Sequence, residues 1–130
     1  MKIAIIGTYP PRECGIGTFT QNFINALTQN LKLLDEYHPP LVVAVNDQEE
    51  AYEYPAEVKF EIRQNHQRDY IQAADYINYS GADICVLEHE FGIYGGDNGI
   101  YVLSLIHRLN LPLVVTFHTV LKDPSYNEKI

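Results

Sequence analysis

Short, continuously apolar runs alternate along the chain with longer stretches in which apolar residues have helical spacing. The apolar runs occupy residues 3–6, 41–46, 84–87 and 113–117, while residues 58–62 alternate apolar with charged side chains. Continuous apolar runs are typical of parallel strands covered on both faces, and strict alternation is typical of a half-exposed edge strand. The sequence therefore predicts an α/β fold built on an open, doubly wound parallel sheet with right-handed crossovers.

Helical spacing predicts three helices, at residues 16 to about 34–35, 67–79 and 99–109. Asp97 or Asn98 would cap the third helix. Residues 124–128 predict the start of a further helix. We expect one face of the first helix and one face of the second to be buried; their apolar positions are Phe19, Phe23, Leu27, Leu31 and Leu34 in the first, and Tyr70, Ala73, Ala74 and Ile77 in the second.

The loop between the first strand and the first helix carries two glycines at the point where the helix begins. Gly15 and Gly17 follow a Pro10-Pro11 pair that can continue neither strand nor helix. The first N–H groups of a helix are free to bind an anion, and glycine lets that anion approach the backbone. The loop is therefore either a phosphate or diphosphate site, or a turn that lets the helix pack close to the sheet.

Arg12 is the basic residue nearest to these glycines. Its guanidinium group could bind a phosphate through two parallel hydrogen bonds. It could equally be an exposed loop arginine. The sequence leaves both interpretations open.

Polar side chains also follow two other apolar runs. Glu88, His89 and Glu90 end the third run, and His118 ends the last one. We expect the first, third and last runs to be neighbouring strands, so that their carboxyl ends and the glycine loop share one crevice. His118 could bind a sugar hydroxyl, transfer a proton, bind a metal or only contact its neighbours.

Two further expectations concern the third run and the loop that follows it. The flanking carboxylates should favour the cationic form of His89, and one of the two glutamates should form a salt link. Gly95 and Gly96 could give a mobile loop over the crevice that handles a second substrate, or only a turn.

Composition and motif spacing exclude several classes of protein. A net charge of −8 disfavours a nucleic-acid surface and a basic membrane-binding helix. Neither a dinucleotide fingerprint nor a P-loop is present, because threonine stands at the third glycine position and no Gly-Lys-Ser/Thr follows. A zinc site made by His89, His118 and a carboxylate is conceivable, but no close pair of ligands supports it. No apolar run approaches the roughly 20 residues of a membrane span, and the two cysteines form no C-x-x-C pattern, so a reduced, cytoplasmic setting is expected.

Three motifs together resemble the N-terminal half of retaining GT-B glycosyltransferases, in particular family 4, the group 1 glycosyltransferases. They are Ile-Gly-Thr-Tyr-Pro-Pro-Arg-Glu-Cys-Gly-Ile-Gly-Thr-Phe-Thr, Glu-His-Glu-Phe-Gly-Ile-Tyr-Gly-Gly-Asp-Asn-Gly and Val-Thr-Phe-His-Thr-Val-Leu, and they occur in the order seen in that family. The resemblance implies a Rossmann-like domain of an enzyme that transfers a sugar from a nucleotide-sugar donor to an acceptor with retention. It implies no metal ion and no cofactor beyond the donor itself.

The resemblance also implies roles for individual residues. The loop formed by Gly15, Ile16 and Gly17, with Arg12 beside it, would bind the donor diphosphate. His118 would be the catalytic residue close to the transferred sugar. The loops of the third run would face the acceptor, through His89, Glu90, Gly95 and Gly96.

Residues 1–130 match only part of the acceptor-side domain of such an enzyme. The nucleotide-binding C-terminal domain, with its paired glutamates separated by seven residues, has no counterpart here, so we expect the chain alone to be inactive. Its partners would be the nucleotide-sugar and the acceptor in the full-length enzyme, with no nucleic acid, and its exposed last strand could support a homodimer. The alternative is a stand-alone α/β module that binds a sugar or a phosphate without turnover.

Overall fold

Five parallel strands form one sheet in a computed structural model that describes residues 1–34 and 36–123. The strands are β1 (Ile3–Gly7), β2 (Leu41–Asn46), β3 (Val58–Arg63), β4 (Ile84–His89) and β5 (Leu113–Phe117), and their order in the sheet is β3-β2-β1-β4-β5. All five predicted strands are confirmed, as is the prediction that β1, β4 and β5 are neighbours. The helix expected at residues 124–128 lies outside the described residues.

Helices cover both faces of the sheet. Helix α1 (Gly15–Leu31) packs on one face, and α2 (Gln67–Tyr79) and α3 (Val102–Ile106) pack on the other. Alternate residues of each strand enter the two cores, because side chains along a strand point to opposite faces. In β4, Val86 therefore contacts the α1 side, whereas Cys85 and Leu87 contact the side of α2 and α3. The open, doubly wound, Rossmann-like sheet predicted from the sequence is confirmed.

The order in which the chain adds strands to the sheet reverses at β1. From β1 the chain proceeds outward to β2 and β3, and it then returns to place β4 and β5 on the other side of β1. Ile5 of β1 lies between Val42 of β2 and Val86 of β4. In open α/β sheets, ligands bind beyond the carboxyl ends of the strands at such a reversal point. The candidate ligand crevice therefore lies where β1 and β4 end.

Helix α1 differs from its prediction in length and in the face that it buries. It starts at Gly15 and ends at Leu31, and its buried residues are Gly17, Thr20, Ile24 and Leu31. Phe19 is 43% exposed and Leu34, beyond the helix end, is 52% exposed. Residues four apart advance about 40° around a helix at each step, so the predicted series begins off the buried face at Phe19 and reaches it only at Leu31. In α2, by contrast, the four residues predicted to face inward are all buried.

Helix α3 is shorter than predicted. A 3₁₀ turn at Asp97–Gly99 precedes it, and neither Asp97 nor Asn98 caps α3. Asn98 and Gly99 have positive φ values of 54° and 78°, which a continuous right-handed helix cannot include. The helix therefore starts only at Val102.

Strand β5 forms one edge of the sheet, and in the described part of the chain nothing pairs with its outer side. Val114 is 47% exposed and Phe117 is 59% exposed. None of the helices in the described part has both the length and the apolar character that a membrane span requires.

Candidate functional site

The loop after β1 is held by contacts among its own residues. The Thr8 hydroxyl lies 2.8 Å from the Cys14 thiol, and Cys14 caps α1 by accepting a hydrogen bond from the Gly17 N–H at 3.3 Å. The Thr18 N–H donates to the Cys14 carbonyl. Within residues 1–34 and 36–123, the N–H groups of Gly15 and Ile16 have no acceptor. The start of α1 therefore presents two donors at the carboxyl end of β1.

The two glycines of this loop have different surroundings. A Cβ atom at Gly17 would lie 3.3 Å from the Arg12 carbonyl oxygen, whereas a Cβ atom at Gly15 would meet no atom within 4 Å. Gly17 thus lets the helix start pass close to the loop backbone. Packing does not require glycine at position 15, because the space beside its Cα is open.

Arg12 extends to the carboxyl end of β2. Its Nη1 donates to the Val45 carbonyl at 2.9 Å, and its Nε lies 3.8 Å from the Asp47 carboxylate. The side chain is only 10% exposed. The structure therefore gives Arg12 a role in joining the first loop to the end of β2.

A carboxylate and an imidazole meet where β4 and β5 end. The Glu88 Oε2 atom lies 2.7 Å from the His118 Nε2 atom, and the Glu88 side chain is fully buried. The other carboxylate oxygen of Glu88, Oε1, is buried without a partner in the described chain. This pair confirms the expected link from one of the two glutamates, and it is an ion pair whenever His118 is protonated.

Helix α1 packs directly against this pair. Gly7 brings β1 close to it, since a Cβ atom there would lie 3.2 Å from the Glu88 Cβ and 3.1 Å from the Thr20 hydroxyl. The Phe19 ring contacts the His118 ring edge-on, with 4.7 Å between the ring centroids. The crevice therefore contains Phe19 and Thr20 of α1 together with His118 and Glu88. Glu88 was expected at this crevice from the sequence, whereas Phe19 was expected only as a buried residue of the first helix.

His89 lies on the opposite face of the sheet from Glu88 and His118. Its ring stacks on Tyr94 at 6.1 Å and contacts Phe91 and Phe117. Burial lowers the pKa of His89 below its ordinary value, although the charge of Glu90 opposes this effect. The expectation that neighbouring carboxylates favour the cation is therefore wrong, because the loss of hydration outweighs their attraction.

Glu90 is occupied by local contacts. Its Oε1 accepts the Phe91 N–H at 2.9 Å, and its Oε2 accepts the Thr119 hydroxyl at 2.8 Å. These bonds connect the ends of β4 and β5. They leave Glu90 on the His89 side of the sheet rather than beside the α1 donors.

Gly95 and Gly96 are tightly packed. A Cβ atom at Gly95 would lie 1.9 Å from the Gln64 carbonyl oxygen, and one at Gly96 would lie 2.7 Å from the Tyr101 ring. The Gly95 N–H also donates to the buried Tyr70 hydroxyl. The loop after β4 thus packs against the end of β3, and the structure supports the turn interpretation of this glycine pair.

A separate polar cleft of about 170 Å³ lies at the carboxyl ends of β2 and β3. Its residues are Asn46, Asp47, Gln48, Glu49, Arg63, Gln64 and Asn65. The buried Asn46 side chain is bonded to Glu61 and Tyr54, and Arg63 is bonded to Asp69. These bonds hold the Asn46 and Arg63 side chains against residues that do not line the cleft.

Metal ligands do not converge in the described part of the chain, where no group of three His, Cys, Asp or Glu side chains is placed to hold an ion. The zinc interpretation required His89 and His118 to share a site. Their side chains point to opposite faces of the sheet, because β4 and β5 run side by side and alternate residues face opposite ways.

No family model matches the chain, and a comparison with curated proteins finds no match. The site is therefore characterised by its own geometry: two α1 N–H groups without an acceptor in the described part of the chain, and an imidazole paired with a buried carboxylate next to the point where the strand order reverses.

Proposed function

We propose that the chain is the acceptor-side, N-terminal domain of a retaining GT-B glycosyltransferase similar to family 4. The parent enzyme would transfer a sugar from a nucleotide-sugar donor to an acceptor. In this proposal the donor diphosphate approaches the free N–H groups of Gly15 and Ile16, and His118 contacts the transferred sugar. The motif resemblance is the starting point of the proposal.

The observation that carries the proposal is the position of His118 beside α1. The ring is held between Glu88 at the end of β4 and Phe19 of α1, next to the reversal point of the sheet, and α1 is the helix whose start carries the two N–H groups. An anionic diphosphate and a neutral sugar need different partners at a short distance from each other. Helix N–H groups suit the former, and an imidazole nitrogen suits a hydroxyl group.

Charge supports a role as one part of an enzyme rather than as a complete catalyst. A departing diphosphate needs positive charge, which usually comes from arginine, lysine or a metal. Arg12 already bonds to the Val45 carbonyl and faces Asp47. The parent enzyme would therefore need cations from a second domain, and the 130-residue chain alone should not transfer sugar.

An immunoblot of source cells, with an antibody raised to this chain, is the first test. A band well above 14.9 kDa supports a multidomain parent, whose purified form is then assayed with a panel of UDP- and GDP-sugars. We expect transfer with retained anomeric configuration, and a His118→Gln variant about tenfold or more slower, because Gln keeps a donor for Glu88 but lacks the second ring nitrogen. Absence of transfer, or inversion, would contradict the proposal.

The alternative function, a binding module without turnover, is favoured by one observation. Both faces of the sheet already carry buried cores within the described residues. Such a module should unfold cooperatively and gain thermal stability when a sugar or phosphate binds at the crevice. A native mass of 14.9 kDa together with stabilisation by a hexose or inorganic phosphate would favour this alternative.

A further inference from the structure

We propose that Glu88 is a positioning residue that fixes the tautomer of His118. The Glu88 carboxylate accepts the N–H of Nε2, and this leaves Nδ1 unprotonated as the nitrogen that faces the crevice. The consequence for substrates depends on the proposed function: the group that binds at His118 is then a hydroxyl that donates a hydrogen bond.

The Glu88 carboxylate needs a hydrogen-bond donor. Glu88 is fully buried, and its Oε2 atom lies 2.7 Å from the His118 Nε2 atom. Its Oε1 atom has no donor among residues 1–34 and 36–123. An ionised carboxylate only accepts hydrogen bonds, so the nitrogen that faces it must carry a proton. His118 is thus the side chain that supplies a donor to this buried group.

Contacts on several sides hold the His118 ring in place. The backbone N–H of His118 donates to the His89 carbonyl at 2.9 Å, and the Phe19 ring contacts the imidazole edge-on. Glu88, Phe19 and the strand backbone therefore restrict its rotation. The Nδ1 atom has no hydrogen-bond partner in the described chain, and the side chain keeps 16% of its surface exposed. The nitrogen left for a ligand is Nδ1.

The protonation of the two ring nitrogens decides which group His118 can bind. In a neutral imidazole, one nitrogen carries a proton and the other accepts a hydrogen bond. With the proton on Nε2, the Nδ1 lone pair binds a donor such as a sugar hydroxyl. A phosphate oxygen is itself an acceptor, so it would not bind there. Glu88 thus makes His118 a group that binds hydroxyls, whereas the N–H groups of α1 suit an anion.

Nitrogen NMR of the histidine-labelled 130-residue chain tests this inference without any activity assay. The His118 signals are assigned by their loss in His118→Gln, and spectra are recorded at a pH where the ring is neutral. We expect a protonated Nε2 and an unprotonated Nδ1. In Glu88→Leu, which removes the acceptor, we expect a mixture of both tautomers, whereas Glu88→Gln should keep the wild-type pattern through its amide oxygen.

Two outcomes would overturn the inference: a proton on Nδ1 in the wild type, or an unchanged tautomer in Glu88→Leu. If Glu88→Leu does not fold, Glu88→Met takes its place. Glu57→Gln is the matched control, because Glu57 is a glutamate bonded to a different side chain, Tyr9, and should leave the tautomer unchanged. The result is separable from the transfer assay, since Glu88 can fix the tautomer in a protein that transfers no sugar.

Discussion

The two glycines at the start of α1 differ in whether packing requires glycine at their position. Gly17 lies against the Arg12 carbonyl oxygen, whereas Gly15 faces open space. Packing alone accounts for glycine at position 17. Packing does not account for glycine at position 15. The anion-binding interpretation therefore rests on the Gly15 and Ile16 N–H groups.

Alanine substitutions should distinguish these two positions. Gly17→Ala should lower the free energy of unfolding by about 1 kcal/mol, because the new methyl group meets the Arg12 carbonyl at 3.3 Å. Gly15→Ala should leave it unchanged or raise it by up to about 1 kcal/mol, since alanine favours a helix over glycine. Urea unfolding of the two variants measures both values. Equal destabilisation by both substitutions would contradict the distinction.

At the scale of single side chains, the sequence predicted part of the candidate site. His118 and the start of α1 do share a crevice, because strand ends in a parallel sheet meet at one edge. Glu88 was expected at the crevice with His89 and Glu90 but was given no role of its own, although it follows Val86 by two positions and so faces α1. Recognising it as the partner of His118 required the register of β4 against β5, which apolar runs do not specify. His89 was assigned to the same crevice, but strand alternation sends it to the other face.

At the scale of elements, one carboxylate connects the end of β3 to the start of α2. Asp69 accepts hydrogen bonds from the Arg63 backbone N–H, Nε and Nη2 at 2.9, 2.8 and 3.0 Å. These bonds from Arg63 hold the pKa of the Asp69 carboxyl below its ordinary value, although burial opposes them. A second aspartate, Asp75, pairs with Arg108 on the exposed surface.

Neutralising these two aspartates should have unequal effects. Asp69→Asn should lower the free energy of unfolding by about 1–3 kcal/mol, because it puts an amide donor among three Arg63 donors. Asp75→Asn, the matched control, should cost less than about 1 kcal/mol, as exposed pairs do. Chemical denaturation at pH 7 gives both values. A larger loss in Asp75→Asn would contradict this ranking.

The Asp69 effect should also depend on pH in a defined direction. Because the pKa of Asp69 is lower in the folded chain, the unfolded chain binds the proton more readily. The stabilisation is therefore fully present well above pH 3.8, the ordinary pKa, and is lost as the pH falls through the lowered value. The difference in free energy of unfolding between wild type and Asp69→Asn should therefore become smaller below about pH 4.

Most strands and helices could be predicted from the sequence, because their signals are local. All five strands carry local apolar signals, and α2 has a regular inward face. The errors fall where the backbone geometry is decided by tertiary contacts or by single residues. The extent of α3 depends on the positive φ values at Asn98 and Gly99, and the orientation of α1 depends on its approach to Gly7 and Glu88.

At the scale of the whole molecule, the sheet ends in one protected edge and one apolar edge. The β3 edge carries charged side chains, Lys59 and Glu61, within the strand. The β5 edge carries Val114 and Phe117, both more than two-fifths exposed. Unpaired strand edges bind other strands, and charged residues on an edge oppose this. We therefore propose β5 as the edge through which two copies of the 130-residue chain associate.

The net charge of −8 sets the conditions under which that association should appear. Two copies repel each other at low salt, and screening weakens this repulsion as the ionic strength rises. Analytical ultracentrifugation should therefore show 14.9 kDa monomers at low salt and a shift toward dimers at high salt and protein concentration. Val114→Lys should abolish the shift, because it places a charge on the paired edge. Leu33→Lys adds the same charge at an exposed position beyond α1 and should leave the shift intact. Monomers under all conditions, or equal effects of both substitutions, would exclude β5 as the dimer edge.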